Sequence, residues 1–413
     1  MGPKRSGRRG FLKNSAALVG LAAGVVASAD AQMSHSEAPP KDCKDPKDLI
    51  AYGERSHYVK SVRIPVMERM SPDEFGMTFH VLSPIQDSVG MITATSLHYV
   101  ATHRGSYVPD IDPQEHRLMI HGMVDRPLIF TVDELKRLPF VTRAHFLECS
   151  GNRAKPSHKN VQQTHGMTSC SEWTGVPLAL LLRETGVQPG ASWIVAEGSD
   201  AAKMTRSVPL AKAMNDVLLA YGQNGEAIRP EQGYPLRLFV PGWEGNISIK
   251  WLRRIKVVDQ PYMTREETSK YTDLMPDGKA RQFTFEMDPK SLITYPSGGQ
   301  KLGTPGFYEI SGLAWSGRGA VRKVEVSVDG GRFWRDAELQ SPVLPIAFTR
   351  FRFGWKWDGS ETVLQSRCTD EHGDTQPLLA ELVKARGDHW SYHFNPIQSW
   401  KISADGSVQN ALV

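Results

Sequence analysis

Between residues 321 and 331 the chain alternates apolar and polar side chains, Val-Arg-Lys-Val-Glu-Val-Ser-Val, and then breaks at Asp-Gly-Gly. That period of two predicts a half-buried strand closing in a hairpin turn. Further strands are expected around Trp334, over 351–357 and over 362–368. Short strands at regular spacing imply a β-sandwich of immunoglobulin size, assigned to residues 286–413. Residues 61–145 also alternate short strands and turns, including a strand with a turn over 117–124. Thr131, with Glu134 three residues on, predicts a capped helix start. The stretch 172–178 leads into another helix, and 192–198 reads as a strand ending at Asp200. Residues 236–240 form an apolar strand broken by Pro241-Gly242; a glycine-bearing loop and a strand ending in basic residues at Lys250 should follow. The pattern therefore predicts an α+β domain over 32–285 ahead of the sandwich. The 36 glycines and 27 prolines suit such a turn-rich chain.

The first 31 residues read as an export signal. Arg8-Arg9 is followed by Phe11-Leu12-Lys13, then by a mild apolar run over 16–29 too short to span a bilayer comfortably. An ordinary secretory signal is the plainer alternative, but the paired arginines favour the twin-arginine route, with Gly7 as a small departure. That route carries folded proteins to the periplasm and implies a cofactor inserted beforehand, with no membrane span once the signal is removed. Residues 32–60 are a polar tether that carries Cys43, whose pairing with Cys170 or Cys368 stays open. The net charge of +4 is modest and spread along the chain, and no basic helix argues for nucleic acid.

The candidate chemistry centres on Cys149. Phe146-Leu147 forms a strand end, Ser150-Gly151-Asn152 turns the chain, and the thiol sits at the tip. Gly151 is free to take a positive φ behind the sulfur. Arg153 and Lys155 would favour a thiolate, a soft ligand for a redox metal. The bland alternative is an inert core cysteine. A zinc site from Cys149, His158, His165 and Cys170 is also conceivable, although gaps of eight, six and four residues match no common zinc spacing. The stretch 232–250 places Arg237 and Lys250 beside a loop rich in backbone N–H groups, chemistry suited to a phosphate or a dianionic pterin. By spacing alone, Asp200 is as easily a solvated turn residue and Tyr271 a surface tyrosine.

Leu147-Glu148-Cys149-Ser150-Gly151-Asn152-Arg153 resembles the cysteine loop of the sulfite oxidase family of molybdenum enzymes. The likeness continues in Gly233-Tyr234-Pro235-Leu236-Arg237, in Val240-Pro241-Gly242 and in Lys250-Trp251-Leu252. The resemblance implies that Cys149 binds molybdenum directly beside one pyranopterin dithiolene, with an oxo group on the metal. It implies pterin contacts at His103, Asp200, Arg237, Ser248, Lys250 and Arg254, with Gln232 in the place of a family histidine, and an active-site tyrosine at Tyr271. One segment departs from the family. The substrate-facing arginine falls on Ala101 and its neighbouring asparagine on Thr102, leaving Arg104 as the nearby cation. The sandwich resembles the family's dimerisation domain, which implies a homodimer or a hetero-oligomer with a cytochrome. No Cys-x-x-Cys-His or His-Pro-Gly-Gly segment is present, so no haem is expected on this chain. Electrons are expected to pass to a c-type cytochrome, and the substrate to be sulfur held on a carrier protein. A dehydrogenase for free sulfite, a molybdenum sulfoxide reductase and a non-enzymatic, zinc-stabilised exported binding protein are the alternatives.

Overall fold

The computed structural model describes residues 53, 55–56, 58–66, 79–102 and 108–412. The export signal, Cys43, His103 and Arg104 therefore lie outside the described residues. The chain divides into residues 1–60 and a compact unit over 61–413.

The fold follows from which side chains can be hidden. In Thr349–Trp357 every second residue is buried, so Phe351, Phe353, Trp355 and Trp357 share one face. This strand lies between Gly306–Trp315 and Glu338–Gln340 in a four-stranded sheet whose other edge is Lys290–Tyr295. A second sheet runs in the order Arg335–Asp336, Val321–Ser327, Thr362–Asp370, Ser399–Ile402, Val408–Asn410. Leu313 and Trp315 from the first sheet and Val324, Leu364 and Trp400 from the second enclose a common core, which makes this the expected sandwich. The expected hairpin after Val321–Ser327 is present, with Gly330 and Gly331 both at positive φ.

Ahead of the sandwich lie two five-stranded sheets. One orders Leu128–Thr131, Arg117–Gly122, Leu252–Val258, Trp193–Gly198 and Thr205–Pro209. The other runs Glu226–Ala227, Leu218–Gln223, Thr168–Pro177, Val141–Glu148, with Arg237–Phe239 also on Leu218–Gln223. Thr131 caps the helix Val132–Lys136 through a reciprocal pair with Glu134, as its sequence predicts. Phe146, on the strand that ends at Glu148, lies stacked 6.5 Å from Phe348, so the sandwich core continues beneath the cysteine strand.

Three expectations are corrected. No strand covers 246–250; a 3-10 turn, Gly245–Ile247, stands there and the strand begins at Leu252. Ile247 and Ile249 are buried and Trp251 has φ 51, which breaks extended backbone before the strand can start. Cys170 and Cys368 are free thiols enclosed in the sandwich core rather than disulfide partners, and burial pushes the Cys170 thiol up to about 12. Gly151 is not at positive φ, and a Cβ there would lie 3.8 Å from the Cys149 sulfur. Among the described residues, no helix is long and apolar enough to cross a membrane.

Candidate active site

Cys149 follows directly on the strand Val141–Glu148 and is held by its own backbone. Its N–H donates to the Met167 carbonyl at 3.0 Å, and its carbonyl accepts from the Asn152 N–H at 2.9 Å. The preceding side chain is fixed as firmly. Glu148 is fully buried; Oε1 accepts from Asn152 Nδ2 at 2.9 Å and from Lys290 Nζ, and Oε2 accepts from Trp315 Nε1 at 2.8 Å. Lys290 and Trp315 are cross-strand neighbours in the sandwich, so the second domain grips the cysteine strand through a buried ion pair. Breaking one side of such a pair would leave a buried charge uncompensated.

Cys149 opens onto a cleft also lined by Ala101, Asp200, Gln232, Arg237, Ser248 and Lys250. Arg237 is 2 % exposed. Its Nη1 donates to the Gln232 carbonyl at 3.0 Å and its Nη2 to the Ser248 carbonyl at 2.9 Å. Its Nε has no hydrogen-bond partner among the described residues, and burial lowers the guanidinium to about 10. Lys250 donates to the carbonyls of Ala101 at 2.8 Å and Glu231 at 3.0 Å. Burial, and then the neighbouring Arg237, lower its ammonium to about 7 against the opposing pull of Asp200 and Glu231. Gly233, at φ +107, lets Lys250 pass; a Cβ there would sit 2.9 Å from the Lys250 Cβ. Asp200 accepts from the Met204 N–H at 2.7 Å, and burial raises its carboxyl. Gln232 donates to the Tyr99 carbonyl at 2.7 Å, and Ser248 Oγ accepts from the Val240 N–H at 3.1 Å.

Behind this wall Trp173 is enclosed against Phe239, with the Arg237 guanidinium 5.0 Å from its ring. His98 Nε2 and Trp173 Nε1 are buried without hydrogen-bond partners among the described residues. Burial holds His98 down at about 3, so its ring is neutral. A soft sulfur, two cations that share one cleft and unpartnered polar atoms beside it form a donor set that fits a metal joined to an anionic pterin.

Tyr271 packs 5.1 Å from the ring of Tyr392, with Arg206 5.1 Å from its face. Burial, and next the nearby Cys149, push its phenol well above the ordinary range, so it stays protonated and able to donate. Arg206 itself is 1 % exposed and lies 3.9 Å from Glu244 and 3.7 Å from Glu267, with Asn246 as a further partner. Burial alone would raise Glu244, but Arg206, His393 and Asn246 hold it at about 2. Asn246 lines the cleft and donates to Ser150 Oγ at 3.2 Å.

The structure thus brings Cys149, Asp200, Gln232, Arg237, Ser248 and Lys250 to one cleft, but not Arg254. Arg254 is 47 % exposed and ion-paired with Glu197 on the neighbouring strand, because the register shifts between Leu252 and Arg254 and leaves Arg254 on the face opposite the buried Ile255. Arg153 does not supply the charge expected beside the thiol. Its guanidinium stacks 3.9 Å over Trp390, and Nη1 donates to the Trp390 carbonyl. No three metal-ligating side chains cluster among the described residues, so Cys149, His158, His165 and Cys170 form no zinc site. Arg206, Glu244, Asn246 and Lys290 carried no sequence signal beyond a charge or amide in an ordinary stretch, and Glu267 stands in the polar run 264–270, which reads as solvated.

A family model for the oxidoreductase molybdopterin binding domain matches residues 105–266, and one for the Mo-co oxidoreductase dimerisation domain matches 281–397. The sulfane dehydrogenase SoxCD from Paracoccus pantotrophus superposes with a TM-score of 0.86 and 42 % identity over 92 % of this chain and 98 % of that one. The chain belongs to the sulfite oxidase family of molybdopterin oxidoreductases. Nitrate reductase [NADH] 2 of Phaseolus vulgaris is 32 % identical over 76 % of this chain, and nitrate reductase [NADH] of Solanum lycopersicum 32 % identical over 70 %. The chain spans only 40 % and 36 % of those two proteins. Within the family frame, every residue named here as lining the cleft from Cys149 onward lies in the molybdopterin-binding match, whereas Lys290, Trp315, Tyr392 and His393 come from the dimerisation match.

Proposed function

We propose that this chain is the molybdenum component of a periplasmic dehydrogenase that oxidises sulfane sulfur held on a carrier protein and passes electrons to a c-type cytochrome. The observation that carries the cofactor reading is the meeting of Cys149, Arg237 and Lys250 in one cleft. The substrate reading is supported by the likeness to a sulfane dehydrogenase over 92 % of the chain. Cys149 would ligate molybdenum as a thiolate. Arg237, Lys250, Ser248, Gln232 and Asp200 would hold the single pyranopterin and its phosphate, with His103 as a further contact. When bound, the cofactor supplies oxygen-atom transfer from water to sulfur and takes up two electrons.

The chain's own residues do the rest. Tyr271, kept protonated, would donate a hydrogen bond to the oxygen as it is transferred to sulfur, and the Arg206 guanidinium beside its ring holds that ring in place. Arg237 and Lys250 neutralise the anionic pterin and fix its orientation. Ala101 leaves the cleft wall small, which admits a bulkier, tethered sulfur than free sulfite needs. Export proceeds by the twin-arginine route with the cofactor in place, and assembly is either a homodimer through the sandwich or a complex with the cytochrome.

Steady-state turnover with oxidised cytochrome c tests this. Carrier-bound sulfane sulfur should be oxidised with a kcat/KM at least about tenfold above that of free sulfite, a difference of about 1.4 kcal/mol in transition-state binding. Faster turnover of free sulfite, or oxidation of a reduced donor by nitrate or a sulfoxide in place of both, would overturn the substrate assignment.

A further inference from the structure

After the helix Leu379–Arg386 the chain leaves the sandwich and lays residues 390–394 against the two loops that carry Cys149 and Tyr271. The contacts alternate between those loops. The Ser391 N–H donates to Asp273 Oδ1 at 2.7 Å, two residues beyond Tyr271. The His393 N–H donates to the Ser150 carbonyl at 2.9 Å, one residue beyond Cys149. Between these two anchors the Tyr392 ring packs 5.1 Å from that of Tyr271, and its hydroxyl oxygen takes a hydrogen bond from the Tyr271 backbone amide. The ends are fastened by Arg153, whose guanidinium lies 3.9 Å from the Trp390 ring and 5.0 Å from that of Phe394.

The backbone of both partners needs such fastening. Tyr271 has φ 52 and His393 φ 57, the left-handed region that an L side chain adopts only when its surroundings impose it. Neither residue lies in a helix or strand. A tyrosine in that conformation on an irregular loop would sample other conformations unless something packed against it. Part of that packing comes from Arg206 and the neighbouring core, and part, through Tyr392, from the domain matched as a dimerisation module.

We propose that residues 390–394 are a brace that sets the separation between Tyr271 and Cys149, with Tyr392 as the positioning residue for Tyr271. The dimerisation domain thereby completes the catalytic centre of its own chain. The proposal rests on the reading of Tyr271 as an active-site donor. Tyr392 itself touches no reacting atom in this account; it acts through Tyr271.

The test compares Tyr392→Ala and Tyr392→Phe in the loaded, full-length enzyme, with Tyr271→Phe as reference. Amide hydrogen exchange is followed in loaded and cofactor-free protein. In Tyr392→Ala, kcat should fall about tenfold to a hundredfold with KM within about threefold, as expected when a reacting group is displaced by about 1 Å. Molybdenum content should be unchanged, and exchange should accelerate in peptides covering 269–273 and 149–152 but not across the sandwich. Tyr392→Phe keeps the ring and loses only the hydroxyl, so its kcat should fall about two- to fivefold, on the scale of one neutral hydrogen bond. Full turnover in Tyr392→Ala with molybdenum bound would overturn the brace, as would exchange that accelerates evenly over the whole chain. Should Tyr392→Ala not fold, Tyr392→Phe decides by the same two readouts. If Tyr271→Phe retains full turnover, the reading of Tyr271 fails, while local exchange at 269–273 still decides whether Tyr392 braces that loop.

Discussion

Arg206 and Arg237 are both buried arginines on strands beside the same cleft, and their surroundings are opposite. Arg206 sits between two carboxylates, Glu244 and Glu267, with Asn246 completing the set. Arg237 has no carboxylate partner among the described residues: it has the backbone carbonyls of Gln232 and Ser248, the Gln232 side-chain oxygen at 3.5 Å and the face of Trp173, while Nε of each arginine is without a hydrogen-bond partner among those residues. A buried charge is costly unless an opposite charge or a full set of hydrogen bonds offsets it. Arg206 meets that condition within the protein and belongs to the scaffold behind Tyr271. Arg237 lacks such a counter-charge among the described residues, and on the proposed reading an anionic pterin supplies it; Lys250, in the same cleft, donates to two carbonyls and feels Asp200 and Glu231. The contrast supports, without reference to any relative, the proposal that Arg237 rather than Arg206 meets the cofactor.

Removing the thiol that both regions flank should have the largest effect. Cys149→Ser should abolish turnover and molybdenum binding while thermal unfolding stays within a few degrees of the parent; full turnover with metal bound would refute the ligand assignment. The two arginines should then part company. Arg206→Met takes the shared cation from two buried carboxylates and should cost about 3–5 kcal/mol in chemical denaturation. Arg237→Met removes an uncompensated buried cation, so cofactor-free stability should hold or rise, while cofactor affinity falls about 10- to 100-fold, as for other groups that orient a metal site. Equal loss of stability in both variants would break the contrast.

A smaller effect lies in the pH dependence of Lys250. Its folded-state pKa of about 7 is below the ordinary 10.5. Between those values the unfolded chain binds more protons than the folded one, so cofactor-free stability should rise with pH across that window. Lys250→Met should flatten this limb, and so should a bound anion that restores the charged ammonium. Denaturation midpoints from pH 6 to about 10.5, with and without cofactor, measure it; a limb that persists in the variant would assign it to another group.

What was legible in the sequence was what lies close together along it. Cys149 ends an apolar strand, and Arg237 and Lys250 stand in one short stretch, so their meeting in a cleft follows from local patterns that survive folding. Arg254, carried over from the family register, is paired with Glu197 instead of lining the cleft, a placement set by the break at Trp251 and the register shift after Leu252, which the sequence does not display. Lys290 reaches Glu148 across 142 positions, and Tyr392 reaches Tyr271 from the far end of the sandwich. A lone lysine or tyrosine in an otherwise ordinary stretch reads as solvated until the tertiary contact is seen. The sandwich was legible as a class from its alternation. Its role in gripping the cysteine strand was not, because that role depends on two side chains presented by neighbouring strands.

The central claim is that this cleft holds molybdenum through Cys149 and an anionic pterin through Arg237 and Lys250. Molybdenum and pterin should be quantified per chain in the exported protein and in an Arg237→Met/Lys250→Met double variant, both made in a host able to build the cofactor. The account predicts about one of each per parent chain, and loss of both from a variant that still folds. Undiminished pterin in the folded double variant, or a parent that carries zinc and no molybdenum, would contradict it.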